Sequence, residues 1–260
     1  MKVLLLGDKG YLGSYLKDNL DADTLKVKDR VIQFNHKKYD YVINCIGKPN
    51  LNYCEQNILD TDYSNWGVVK DINKHYPDTK IINFSSYYVY DSEGLCTESS
   101  NTTSKYAYCR QKLLSEDECT NGVTFRLGKL FGNVKAKQKK LTEFIIDSDS
   151  VTLDEVLFNP VSVDQVLTVI KYEINNNVFR GIYNLANAGV VSHADYGTYI
   201  NELLGSDKKI TRTSVLSHYF DNYGKFAMSL DKISMIIPLR NWRDDIQTYI
   251  KLLKKQIEVL

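Results

Sequence analysis

The sequence predicts an α/β protein: a doubly wound parallel sheet with a small, mainly helical C-terminal lobe. Three observations carry that expectation. Short apolar runs alternate with helix-periodic stretches over the first half of the chain, a glycine-rich turn joins the first run to the first such stretch, and the second half continues mostly at helical spacing.

Taken in order, "KVLLLG" is continuously apolar, the pattern of a strand covered on both faces. In "YLGSYLKDNL" the apolar residues recur as on one side of a helix. A short strand is expected within "TLKVKDRVIQF" and a firmer one in "DYVINCIG". The stretch "LDTDYSNWGVVKDINKHY" reads as a helix that leads into the strand "KIINFSS". A further helix, "KYAYCRQKLLSE", precedes a strand in "GVTFRLGKLFG". Right-handed crossovers set the carboxyl ends of such strands along one rim, where ligands bind. Residues 134–157 are charged and read as loop, "NPVSVDQVLTVIKYEI" as a turn and helix, and "GIYNLAN" as a strand. The boundaries drawn from this pattern are a dinucleotide-binding Rossmann domain over 1–133 plus about 158–187, and a substrate-binding lobe over about 134–157 plus 188–260.

Composition narrows the function classes. The chain has 260 residues, 43% hydrophobic and 25% charged, with a formal net charge of +1, so no global field draws it to nucleic acid or to a membrane surface. Five cysteines without CxxC spacing (Cys45, Cys54, Cys96, Cys109 and Cys119) predict neither a disulfide framework nor a zinc site. His36, His75, His193 and His218 are scattered, so no metal is expected. The apolar run at the N-terminus is too short for a signal peptide or a membrane span, and a cytoplasmic protein is expected.

The turn "GDKGYLG" holds Gly7, Gly10 and Gly13, with Tyr11 and Leu12 between the last two. Between a strand and a helix, one glycine permits the tight turn, one lets backbone N–H groups approach a pyrophosphate, and one allows close helix–strand packing. The helix N-terminus supplies partial positive charge. A dinucleotide cofactor is therefore expected. At the second strand, Lys28, Asp29 and Arg30 stand together. An acidic residue there suits the ribose hydroxyl of NAD(H) and basic ones suit a 2′-phosphate, so NADP(H) is favoured and NAD(H) is the alternative. Asn44, Cys45 and Gly47 in "INCIG" follow another strand, where a cofactor would pass.

Tyr108 and Lys112 lie four residues apart, on one helix face and about 6 Å apart along the axis. An adjacent ammonium would lower the phenol pKa and let the tyrosine exchange a proton with a substrate oxygen. In a chain with 19 tyrosines the spacing alone describes an ordinary helix. It gains weight from Ser85 and Ser86, which end the strand "KIINFSS" at the same rim. A serine hydroxyl there could hold a substrate carbonyl. Arg126, in "VTFRLG", also falls near the rim, with substrate contact and a structural salt bridge both open. Cys109 turns about 100° away from Tyr108 and is expected to pack.

These motifs together resemble the extended short-chain dehydrogenase/reductase family, and within it the dTDP-4-dehydrorhamnose reductase group. "GDKGYLG" resembles the family's GxxGxxG loop, "SSYYVYD" its serine/threonine motif with Ser86 at the catalytic position, and "YCRQKLLSE" its YxxxK followed by Glu116. "NCIG" with "LNYCEQN", "FRLGKLFG", "NPVSVDQV" and "NWRDDIQTYIKLL" extend the likeness over nearly the whole chain. The chain departs from the group in its compressed second strand, in the lysine-rich 134–157 segment, and in "NYGKFAMSL", which lacks an Arg-Pro pair. Those departures bear on substrate more than on reaction type.

The resemblance implies NAD(P)H-dependent reduction of a keto group on a nucleotide-activated sugar. It assigns Ser86, Tyr108 and Lys112 to catalysis, and Ser86, Tyr87 and Arg126 to the nucleotide-sugar substrate. A homodimer is plausible on the same ground. The alternatives are an epimerase or dehydratase that uses bound NAD, against which Tyr87 and Tyr88 stand where dehydratases carry acids, or a non-catalytic NADP-binding regulatory subunit.

Overall fold

The computed structural model describes residues 1–25, 27–28, 31–103, 105–214 and 226–258. Its central sheet has six strands in the order Gly181–Leu185, Gly122–Leu127, Lys80–Ser86, Tyr41–Asn44, Val3–Leu6, Asp23–Thr24. The pairs from Gly122–Leu127 across to Asp23–Thr24 are all parallel. Val3–Leu6, Tyr41–Asn44 and Gly122–Leu127 are buried along their whole length, as continuous apolar runs require of a doubly covered sheet. From Val3–Leu6 the chain first moves one way to Asp23–Thr24 and then back across to Tyr41–Asn44. That reversal opens a crevice at the carboxyl ends of Val3–Leu6 and Tyr41–Asn44.

The second strand of the sheet, Asp23–Thr24, is two residues long and exposed, and it overlaps the stretch expected to hold it only at Thr24; within that stretch Val27–Lys28 pairs with Val31–Ile32 apart from the central sheet. The segment expected as one helix before Lys80–Ser86 is instead broken. It runs as Ile58–Asp62, a π turn at Tyr63–Gly67, and Val68–His75, preceded by Leu51–Gln56. The extra residue of the π turn rotates Asn65 inward, where it is 1% exposed.

The described residues form two compact units: 1–90, 102–127 and 169–183 in one, and 91–101, 128–168 and 184–260 in the other. The division differs from the sequence boundaries at 91–101, 128–133, 158–168 and 184–187, the first three because short strands in them pair within the second unit. Gly94–Cys96 pairs with Phe226–Met228, and Lys129–Phe131 pairs with Pro160–Ser162. Ser150–Asp154 pairs with Lys209–Thr213, and Leu157–Phe158 with Val191–Ser192. The lobe is thus richer in strand than its sequence suggests, and 134–157 carries the Leu141–Asp147 helix and a strand. Trp242, Tyr196, Phe131, Phe158, Ile145 and Ile246 form its core.

Candidate active site

The glycine loop closes on backbone. Gly7 has φ +80°, and a Cβ there would stand 2.6 Å from the carbonyl carbon of Cys45. A Cβ on Gly13 would stand 2.0 Å from Gly7 O. Gly10 caps the Tyr11–Asn19 helix, its N–H donating to Gly7 O at 3.0 Å. No side chain caps this helix and no acid sits in its first turn, so the positive end of its dipole is not offset locally and suits an anion. Tyr11 and Leu12 are buried, which leaves their backbone rather than their side chains to meet a ligand. Asp8, the one acid of the loop, is paired with Lys17 at 2.7 Å. These features fit a pyrophosphate.

Across the crevice, Asn44 is buried and serves as a brace. Its amide donates to Asn83 Oδ1 at 3.1 Å and its carbonyl accepts the Ile46 N–H at 3.2 Å, shaping the turn that presents Cys45 and Gly47. Burial raises the Cys45 thiol well above its ordinary value. Gly47 lies beside the catalytic lysine candidate, since a Cβ there would be 3.6 Å from Lys112 Nζ and 3.5 Å from Asn65 Oδ1.

Ser86 ends its strand and accepts the Tyr88 N–H at 3.3 Å, starting the single turn Tyr87–Val89. Its hydroxyl is near enough to act on the phenol of Tyr108, in the first turn of the Ala107–Glu118 helix. That helix lacks a capping side chain of its own, and Glu55 supplies one from outside, accepting the Ala107 N–H at 2.5 Å. Lys112 Nζ donates to the Phe84 carbonyl at 2.9 Å. Ser86, Tyr108 and Lys112 therefore gather at one end of the Lys80–Ser86 strand, each less than a tenth exposed.

The electrostatics differ from the sequence expectation in one respect. Burial raises the Tyr108 phenol, and the opposing influence is the nearby Ser86 hydroxyl. The ammonium is engaged by the Phe84 carbonyl of the strand, which a long side chain one turn further along the helix can reach. Burial in turn lowers Lys112 to about 8, with Glu116 partly opposing. Lys112 spends one of its three N–H donors on Phe84, leaving two beside Gly47 that suit the hydroxyls of a nucleotide ribose.

The remaining candidates separate. Tyr87 is buried and stacks on Tyr88, with ring centroids 4.3 Å apart. Of the two readings left open for Arg126, the structure shows the salt bridge: Nε and Nη2 grip the Glu116 carboxylate at 2.9 and 2.7 Å, and the guanidinium lies over the Tyr90 ring. Cys109 packs as expected, its thiol donating to Tyr88 O at 3.1 Å. Lys28 lies on the short strand Val27–Lys28, while Asp29 and Arg30 fall outside the described residues.

Sequence reasoning missed Asn65 and Gln111, which hold the site together. Asn65 accepts the Lys48 N–H at 2.7 Å and donates to Gln111 Oε1 at 2.7 Å, tying the turn after Tyr41–Asn44 to the Tyr108 helix. The signal was Gly67, a glycine inside an otherwise helical run. In the second unit, His193 is enclosed by Asp154 at 2.6 Å and Lys129 at 2.7 Å. Burial and the neighbouring lysine lower it to about 4, so its ring is neutral.

The RmlD substrate binding domain model matches residues 1–255 of the chain. The protein belongs to that family. The family places the chain where its motifs pointed, among extended short-chain dehydrogenase/reductases of the dTDP-4-dehydrorhamnose reductase group. No curated protein matches it. Among solved structures, a dTDP-4-dehydrorhamnose reductase from Clostridium acetobutylicum superposes with a TM-score of 0.84 at 20% identity, covering 98% of this chain and 100% of that one. The Bacillus anthracis enzyme of the same name, in complex with NADP, gives a TM-score of 0.81 at 15% identity over 96% and 98%. A UDP-N-acetylglucosamine 4-epimerase from Methanobrevibacter ruminantium gives 0.80 at 16% identity over 98% of each chain. At such identities these neighbours of the RmlD-family chain establish its fold. No helix among the described residues is long and apolar enough to cross a membrane.

Proposed function

We propose that this protein is a nicotinamide-dependent oxidoreductase that reduces a keto group on a nucleotide-activated sugar, in the manner of a dTDP-4-dehydrorhamnose reductase. The observation that carries the reading is the gathering of Ser86, Tyr108 and Lys112, all buried, at the end of the Lys80–Ser86 strand, with the lysine keeping unspent donors. The bound nicotinamide would supply hydride to the keto carbon. Everything else falls to the chain's own residues. The glycine loop and the uncapped Tyr11–Asn19 helix hold the pyrophosphate. Lys112 orients the ribose through its two remaining N–H groups.

Tyr108 donates its proton to the developing alkoxide. Its raised pKa keeps the phenol protonated at neutral pH, ready to donate, and an alkoxide is a stronger base than a phenolate. Ser86 holds the same oxygen and steadies the charge that grows on it. NADP(H) remains the preferred cofactor of this reading, because of the basic residues at 28 and 30, and the Bacillus anthracis neighbour was solved with NADP.

An epimerase is the reading to test against, since one shares the fold. Candidate 4-keto sugar nucleotides, dTDP-linked ones first, added to protein and NADPH, should oxidise one NADPH per sugar reduced. Interconversion of sugars without net NADPH loss would point to an epimerase. Cofactor binding with no turnover of any keto sugar would point to a regulator.

A further inference from the structure

Lys112 is a buried cation whose hydrogen-bond acceptor among the described residues is the Phe84 carbonyl. The groups acting on it are Glu116 on its own helix, Cys54 of the Leu51–Gln56 helix, and Cys45 after the Tyr41–Asn44 strand. Tyr108 shares its helix face, Glu55 is engaged at the helix N-terminus by Ala107, and Asp62 accepts from Gln111 at 2.8 Å. Burial raises both thiols, so they are neutral near pH 7. Among the described groups acting on Lys112, that leaves Glu116 as the fixed negative charge. Glu116 lies one helical turn beyond Lys112 and is itself buried, its two oxygens gripped by Arg126 from the Gly122–Leu127 strand. The register sets that grip: Phe84 pairs with Phe125 and Ser85 with Arg126, so one helix turn spans both contacts.

We propose that Glu116, held by Arg126, is a positioning residue: it is the counter-charge that keeps the Lys112 ammonium protonated and available to the cofactor ribose. This rests on the reading of Lys112 as a cofactor ligand. The bland alternative is that the Arg126–Glu116 pair only braces the helix against the sheet. A brace affects stability, whereas a counter-charge also moves the pH at which binding fails.

The test is the NADPH dissociation constant, followed by fluorescence from about pH 6 to about pH 9.5. The proteins are wild type, Glu116→Gln, and the doubly substituted Glu116→Gln/Arg126→Met, which avoids leaving the Arg126 guanidinium buried without its carboxylate. In the wild type, affinity should begin to fall near pH 8, where free Lys112 loses its proton. In Glu116→Gln the fall should begin about one pH unit lower, with affinity unchanged near pH 6 and about fivefold weaker near pH 8; in the double variant, which loses the Arg126 cation as well, the shift should keep its direction and be smaller. Variants that are less stable but keep the wild-type pH profile would overturn the proposal and leave the cofactor reading standing. A wild type that binds NADPH with no alkaline fall, or not at all, would overturn the assignment of Lys112 itself.

Discussion

Lys112 shows how burial changes what a residue can do. In water its amine would hold a proton to pH 10.5, whereas inside the protein the charge is desolvated and the value drops to about 8. Below pH 8 the folded and unfolded forms carry the same proton and the buried charge is a standing cost. Between about 8 and 10.5 the unfolded chain holds more protons, so stability attributable to this group rises with pH. Lys112→Met should therefore be more stable than wild type near pH 7. Its advantage should narrow by on the order of 2 kcal/mol by about pH 10 in urea unfolding. Parallel stability–pH curves for the two proteins would show that Lys112 is not desolvated in this way. Tyr108 is moved by the same cause in the other direction on the scale: burial raises the phenol and so preserves its proton.

At the scale of elements, the first βα turn is the most demanding. Gly13 has no room for even a methyl group against Gly7 O, while a Cβ on Gly10 would sit 3.3 Å from the same oxygen. Gly13→Ala must push the Tyr11–Asn19 helix off the sheet, at a cost of about 1–3 kcal/mol. It should weaken NADPH binding by more than about tenfold, because the helix N–H groups move with it. Gly10→Ala should be the milder change on both counts. Equal effects in melting temperature and NADPH affinity would contradict the packing described here. The π turn at Tyr63–Gly67 is the other unusual element. Its irregularity puts the Asn65 amide where the Lys48 backbone and Gln111 both need a partner.

For the whole molecule, what could be read in the sequence was what has a local cause. The buried strands announce themselves as apolar runs, the glycine loop by its place between strand and helix, and Ser86, Tyr108 and Lys112 by spacing and order along the rim. What could not be read depends on partners distant in sequence. Gly94–Cys96 is a strand only because Phe226–Met228 lies beside it, and three residues are too few to show a period. Arg126 looked available because nothing local reveals that Glu116, ten residues earlier, grips it. The carbonyl that engages the Lys112 ammonium is that of Phe84, 28 residues earlier on the Lys80–Ser86 strand, which no local pattern reveals.

The central claim is that Tyr108 gives its proton to a keto oxygen held at Ser86. Turnover of a 4-keto sugar nucleotide by wild type and by Tyr108→Phe, with the NADPH dissociation constant measured on both, tests it most directly. The account predicts NADPH affinity within about threefold and a turnover number lower by about 100-fold or more. Turnover that survives the loss of the phenol hydroxyl would contradict it.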